Sequence, residues 1–405
     1  MEPECDREDD VCMDSAASAP PASRYAAIFC MGCCNVCVAS STIVSSLSKA
    51  SPKVVQHLSL SPAYSAMLRE RTGLEAGPEL VDYFFNQRKE RLALYQWPPP
   101  SSPEVGVALL FHGYAAHARY PTTGWLADIL LAAGFRCYCA DMVGHGASDG
   151  TPGLLPSAHL LVEDGVDTLK EVRERHPDEK LVLCGQSMGG AIALAVGIES
   201  QQHRQVDGML LLSPMIKQRR KNLPSPVWLQ ALRTLSAVAP SLPALELRGA
   251  GQKAPKLPGD ADRWRECEVA PQYSGNMRLG TAAALLQLAE SLQARLDDVA
   301  CPFFVAMGGK DHIVDKAGPK ALFKRSCTPD EQKVFRTYSQ AGHSLLAEIP
   351  VIRRQVENDM SEWLGHRFPR PCGPQFEGKF AGRASVELWW ESDRPPSMQP
   401  PVVCV

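Results

Sequence analysis

The sequence predicts an α/β protein: a mostly parallel central sheet covered by helices on both faces, with an insertion after the sixth strand. Three observations predict it. Apolar runs of strand length alternate with stretches of helical spacing over residues 105–212 and again over 279–366. One of these runs, Leu181–Cys184, passes through Gly185-Gln186-Ser187-Met188-Gly189 straight into an alanine-rich helix. Between Ser213-Pro214 and residue 278 the alternation stops, and the chain turns rich in Pro, Arg and Lys.

Composition sets the frame. Of 405 residues, 45% are hydrophobic and 21% charged, as in ordinary globular proteins. The net charge of −3 hides an asymmetry: residues 1–24 hold seven acids against Arg7 and Arg24, a charge of −5, and the remainder carries +2. Neither value fits a nucleic-acid binder, and no basic stripe interleaved with aromatics is present. The acidic, Ala-, Ser- and Pro-rich start predicts disorder and is unlike a secretory or transit peptide.

From Tyr25 to Ser48 there is no charge, but Gly32, Asn35 and the serines make this a poor membrane span. Cys30, Cys33, Cys34 and Cys37 lie in this stretch. Their spacing leaves no loop to build a tetrahedral metal site, so no metal is expected. S-acylation of these cysteines, giving peripheral membrane association, is expected instead. Cys137, Cys139 and Cys184 fall inside apolar strand runs with no even-spaced framework, which favours a reducing, cytoplasmic setting. The expected organisation is a Cys-rich leader over residues 1–60, a core over 78–214 and 279–366, a cap over 215–278, and a disordered Pro/Gly-rich tail over 370–405.

In chain order, Val81–Asn86 and Arg91–Trp97 predict a hairpin. Val105–Phe111 is uninterruptedly apolar, the pattern of a strand buried on both faces. Trp125–Ala133 has helical spacing and stops at Gly134, a natural position just past a helix end. Phe135–Ala140 is the next strand, and Leu160–Arg175 is an amphipathic helix ended by His176-Pro177. Strand 180–184 leads to Gly-x-Ser-x-Gly and a helix reaching about Gln201; Val206–Leu212 follows as the sixth strand. The insertion holds one amphipathic candidate, Val227, Trp228 and Leu229 through Leu232, Leu235 and Val238. Beyond it come helix Thr281–Leu296, strand Pro302–Met307, helix Gly318–Ser326, strand Lys333–Tyr338 and helix Val351–Leu364.

The chemistry concentrates at Gly185–Gly190. A strand entering a tight Gly-flanked turn and then a helix lifts its central serine clear at the carboxyl end of the sheet, beside the free amides of a helix N-terminus. A serine hydroxyl is a weak nucleophile at its own pKa and needs a base, itself oriented by an acid. Strand 302–307 runs into Gly308-Gly309-Lys310-Asp311-His312, and strand 333–338 into Gln340-Ala341-Gly342-His343-Ser344. Asp311 and His343 therefore follow Ser187 in the order acid, then histidine, each just beyond a carboxyl strand end. His312 neighbours Asp311 and points elsewhere, and Asp315 is a reserve acid. Oxyanion donors are expected from the backbone amides of Met188, after the serine, and Tyr114, in the loop Phe111-His112-Gly113-Tyr114. His112 precedes the elbow and is expected to structure that loop. No cofactor is implied, since the glycine-rich loops lack GxGxxG or GxxxxGK[ST] spacing.

His112-Gly113-Tyr114, Asp141-Met142-Val143-Gly144-His145-Gly146-Ala147-Ser148-Asp149-Gly150 and Gly185-Gln186-Ser187-Met188-Gly189-Gly190-Ala191 resemble the monoacylglycerol lipase/lysophospholipase group of α/β-hydrolases. Tyr273-Ser274-Gly275 with Arg278-Leu279-Gly280-Thr281 resembles that group's return from cap to core. The resemblance covers roughly residues 78–366 and rests on four separated motifs in one order. It implies the α/β-hydrolase fold and hydrolysis of a small lipid ester, a monoacylglycerol or lysophospholipid, with Ser187, Asp311 and His343 as triad. Gln186 departs from the usual His or Glu, and Ala270-Pro271 stands where Asp-Pro is common. Other readings on this fold are an esterase of phenolic esters, a peptidase, or a non-catalytic binder. The last would have lost a nucleophile or base, and none is lost here. Trp228 and Leu232, beside Lys217, Arg219, Arg220 and Lys221, fit two readings, a solvated surface element or a lid that lies on anionic lipid.

Overall fold

The apolar strand runs pair into one sheet in the computed structural model, which describes residues 77–99, 104–201, 205–223, 225–244, 259–270, 272 and 276–370. The strands are β1 (Glu79–Phe85), β2 (Arg91–Gln96), β3 (Gly106–Phe111), β4 (Phe135–Ala140), β5 (Leu181–Gln186), β6 (Gly208–Leu212), β7 (Phe303–Gly308) and β8 (Lys333–Tyr338). They lie in the order β1-β2-β4-β3-β5-β6-β7-β8. β1 and β2 form the expected antiparallel hairpin, and β2 pairs antiparallel with β4. From β4 onward all neighbours are parallel. The loops after β3, β5, β6, β7 and β8 therefore leave along one edge, where ligands of such sheets bind.

The period-2 alternation of β-strands divides the core into two layers. Val107, Leu109, Phe111, Leu181, Leu183, Met209, Leu211, Phe303 and Val305 face one side. Ala108, Leu110, Val182, Cys184, Leu210, Leu212, Phe304 and Ala306 face the other. The first side is covered by α2 (Ala158–Arg175), α3 (Met188–Ser200), α6 (Leu279–Ala294) and α7 (Ala317–Arg325). The second is covered by α1 (Pro121–Ala132) and α8 (Pro350–Arg367). Each fully buried Leu, Val or Phe contributes about 1.5–3 kcal/mol, against roughly 0–1 kcal/mol for an exposed ion pair. Burial, rather than ion pairs such as Arg233–Glu290, fixes the sheet.

Two elements differ from expectation. α1 begins four residues before Trp125, because Pro121 sits in its first turn, where the missing N–H costs nothing. Within the insertion, α4 (Pro226–Val238) was legible, but α5 (Ala261–Val269) was not. α5 is mostly polar; its signal is Asp260, whose side chain accepts from the amides of Asp262 and Arg263.

The candidate acylation sites Cys30, Cys33, Cys34 and Cys37, the tail beyond residue 370, and Tyr273-Ser274-Gly275 lie outside the described residues. Among the described residues no helix is long and apolar enough to cross a membrane. Cys137, Cys139 and Cys184 are buried free thiols, and burial pushes all three up from the usual thiol value.

Candidate active site

Ser187, just after β5, takes a conformation that residues with a Cβ rarely adopt, φ 58° and ψ −119°, at a cost of about 1–3 kcal/mol. The surrounding contacts overdetermine it. Its amide donates to Leu212 O at 3.0 Å, and its carbonyl accepts from Met215 N at 3.0 Å and Ala191 N at 3.1 Å. The flanking glycines answer to close approach. A Cβ on Gly189 would stand 1.9 Å from Phe111 O, and one on Gly185 would stand 2.4 Å from Gly189 O. The turn thus seats directly on the loop leaving β3. Met188, the first residue of α3, presents one of the N-terminal amides that have no acceptor within the helix.

The acid and base loops meet by the same device. A Cβ on Gly308 would lie 1.9 Å from Gly342 O, so only glycine lets the two backbones touch. Gly309 N donates to Tyr338 O and Lys310 N to Ala341 O, each at 2.8 Å. This brings His343 Nδ1 to 2.8 Å from Asp311 Oδ2, with both side chains 1% exposed. A carboxylate can only accept, so Nδ1 carries the proton and Nε2 is left as the basic nitrogen. Asp311 Oδ1 accepts from Ile313 N at 2.8 Å and Val314 N at 3.0 Å, fixing the carboxylate. The competitors are otherwise engaged. His312 is exposed, with Nδ1 3.1 Å from Arg219 Nη1, and Asp315 Oδ1 accepts from Ala317 N at the start of α7.

Tyr114 lies in the loop after β3, where two buried imidazoles hold the backbone. His112 Nδ1 donates to Gly113 O at 2.8 Å, and its Nε2 accepts from Met142 N at 3.0 Å. His145 Nδ1 donates to Val143 O at 3.1 Å, and its Nε2 accepts from Ala115 N at 3.3 Å. Each ring uses one nitrogen as donor and the other as acceptor, and so must be neutral. Burial pushes His145 down to about 4 and His112 well below the ordinary imidazole value.

A neutral buried imidazole makes stability pH-dependent. The unfolded chain binds its proton near the ordinary value, whereas folded His145 binds only near pH 4. Stability is therefore complete above about pH 6.5 and is lost as pH falls towards 4, by about 3 kcal/mol from His145 alone. Urea unfolding across this range should show the loss. His145→Asn, which keeps an acceptor for Ala115 N, should flatten the curve; an unchanged slope would remove His145 as its cause.

The insertion touches both functional loops. Met215 and Ile216 still belong to the core. Arg219 Nη1 then donates to Asp311 O at 3.1 Å, and Asn222 Nδ2 to His312 O at 3.1 Å. At the far end of the insertion, Asp260 N donates to Ala347 O at 2.8 Å and Arg263 Nη1 to Leu346 O at 2.7 Å. Sequence reasoning missed these contacts, since nothing local marks a donor aimed at a loop some 90 residues away. The two lid candidates part company. Trp228 is 53% exposed, while Leu232, one turn on, is 9% exposed and packs into the core layer that includes α6.

A surface depression of about 560 Å³, lined by Lys170, Arg173, Glu179 and Asp207 among others, lies at the amino ends of β5 and β6, opposite Ser187. Its charged lining does not suit an acyl chain.

A sheet of this order, with a strained serine after β5, an acid after β7 and a histidine after β8, defines an α/β-hydrolase. The particular family follows from comparison with known proteins: residues 102–350 match the model described as serine aminopeptidase, S33, and the chain belongs to that family. A monoglyceride lipase from Rattus norvegicus is 26% identical over 290 residues, covering 71% of this chain and 91% of the relative. A monoacylglycerol lipase from Mycolicibacterium smegmatis is 29% identical over 283 residues, covering 68% and 92%. The solved structure of a soluble variant of the Saccharomyces cerevisiae monoglyceride lipase, in complex with a substrate analogue, is similar with a TM-score of 0.60 and 19% identity. It covers 72% of this chain and 96% of that one, a likeness of fold.

Proposed function

We propose that this chain is a serine ester hydrolase that cleaves monoacylglycerol to glycerol and a fatty acid through an acyl-enzyme. The observation that carries the reading is the buried 2.8 Å contact of His343 Nδ1 with Asp311 Oδ2, in a fold whose strained elbow holds Ser187. In this reading Ser187 Oγ attacks the ester carbonyl while His343 Nε2 takes its proton, and Asp311 stabilises the imidazolium. The developing oxyanion faces the amides of Met188 and Tyr114. Collapse breaks the ester C–O bond, His343 returns the proton to the departing glycerol oxygen, and the acyl group stays on Ser187. Water, deprotonated by His343, then releases the fatty acid and restores the serine.

The substrate assignment is supported by the names of the relatives, matched over nine-tenths of their length. An apolar surface on α4 agrees with it. Val227, Trp228, Leu235 and Val238 are all exposed, beside exposed Arg220 and Lys221, as suits a helix resting on a lipid surface. Acylation of Cys30, Cys33, Cys34 and Cys37 would add a second anchor, released from vesicles by hydroxylamine.

A substrate panel tests the reading. Monoacylglycerol should be turned over about tenfold faster than lysophospholipid, phenolic ester or aminoacyl amide, a preference of 1–2 kcal/mol. A faster lysophospholipid or amide would replace the substrate assigned here. Trp228→Ser with Leu235→Ser, which leaves buried Leu232 alone, should cost about tenfold on vesicle-embedded substrate and spare a soluble short-chain ester. Equal loss on both would end the lid reading.

A further inference from the structure

We infer that Gln186 and Ser344 form a positioning pair that sets the base against the nucleophile, an inference that rests on reading Ser187 and His343 in those roles. Gln186 is the last residue of β5 and immediately precedes Ser187; Ser344 immediately follows His343. Gln186 Nε2 donates to Ser344 Oγ at 3.1 Å across 158 residues of sequence, and both side chains are buried.

The triad poses two separate problems of register, and the contacts between the acid and base loops solve only one. The glycine contact of Gly308 with Gly342, the Lys310–Ala341 bond and the Asp311–His343 bond fix the base relative to the acid. None of them reaches the elbow. The Gln186–Ser344 bond spans that remaining gap, one residue from the nucleophile on one side and one residue from the base on the other. The other flank of His343 is pinned as well, because Gly342 N donates to buried Glu348 Oε1 at 2.6 Å. With both neighbours held, the imidazole can turn about its side-chain bonds but cannot drift from the elbow.

The chemistry of Gln186 fits this role. An amide is neutral at every working pH, so it ties the loops together without a charge that would bias protonation of the adjacent base. Its Oε1 is buried and has no hydrogen-bond partner among the described residues. Core positions kept for stability alone rarely leave an amide half satisfied. Gln186 thus bears on the seat of the base.

The test compares Gln186→Leu, Ser344→Ala, their combination and His343→Ala on a soluble ester, each normalised to the folded protein concentration measured by circular dichroism. Each single variant should lower kcat about tenfold, the scale expected for slight misplacement of a reacting group, with KM within twofold of wild type. The combination should fall no further than the worse single variant, because both remove one link. The proposal is overturned by a single variant that keeps its kcat while its thermal midpoint falls, or by losses that multiply in the combination. His343→Ala separates this from the underlying reading. If that variant stays active, the assignment of the base is wrong; if it is inactive while Ser344→Ala is unimpaired, only the positioning pair is wrong.

Discussion

Ser187→Ala is expected to lower turnover by at least roughly 10⁴-fold, and to abolish labelling by a fluorophosphonate, while leaving the protein folded. The size follows from the division of labour at the site. His343 and Asp311 act only through the hydroxyl they activate, so removing it removes the contribution of all three, and what survives is binding and the oxyanion amides. Stability should change little, because alanine keeps the Cβ that strains φ at 58°. Ser187→Gly sharpens the test. It should be equally inactive but more stable by about 1 kcal/mol, because glycine adopts this backbone without penalty. Stability gained together with activity lost would identify the strain as maintained for chemistry. A labelled, active Ser187→Ala would move the nucleophile elsewhere.

Gly308→Ala carries the next largest effect. The added methyl would lie 1.9 Å from Gly342 O and 2.4 Å from Ala341 O, both backbone atoms that cannot rotate away. The acid and base loops must separate, stretching the Lys310–Ala341 bond and drawing Asp311 from His343. A shift of about 1 Å in a reacting group costs on the order of 10²-fold, and overpacking costs about 1–3 kcal/mol. Kinetics with thermal melting should show both. Gly124→Ala and Gly365→Ala are the controls, since a Cβ at either meets nothing within 4 Å. Both lie inside helices, where alanine is favoured by about 1 kcal/mol, so they should be neutral or stabilising. A Gly308→Ala variant with wild-type kcat would show that the two loops do not need this contact.

The parts of this molecule that were legible in the sequence obey local rules. Leu181–Cys184 and Phe303–Gly308 are continuous apolar runs, and being buried on both faces leaves such a run little choice but an inner parallel strand. Order along the chain named Ser187, Asp311 and His343, because the fold fixes which strand end carries which group. The structure brings the last two together, and the seat of Ser187 is visible in the glycines around it. What stayed illegible is non-local. Leu232 and Trp228 share one amphipathic stripe, and only the packing of α4 on the core shows that one faces in and the other out. Arg219, Ser344 and Glu348 are unremarkable polar residues until the loops they bridge are in place. α5 escaped notice because its stability comes from a cap and from neighbours such as Trp125, whose Nε1 donates to Glu266 Oε2 at 3.0 Å, and not from a periodic apolar face.

Gly189 has a consequence for how this enzyme can change over generations. Its Cα rests on the carbonyls of Phe111 and His112, so the height of Ser187 and the place of the Tyr114 amide are one dimension, not two. No substitution can raise the serine without also moving the loop beneath it. A lineage seeking a longer acyl chain or a different alcohol has no adjustable part there; the variation open to it lies in the insertion, whose contacts with the catalytic loops run mostly through side chains that can be exchanged one at a time.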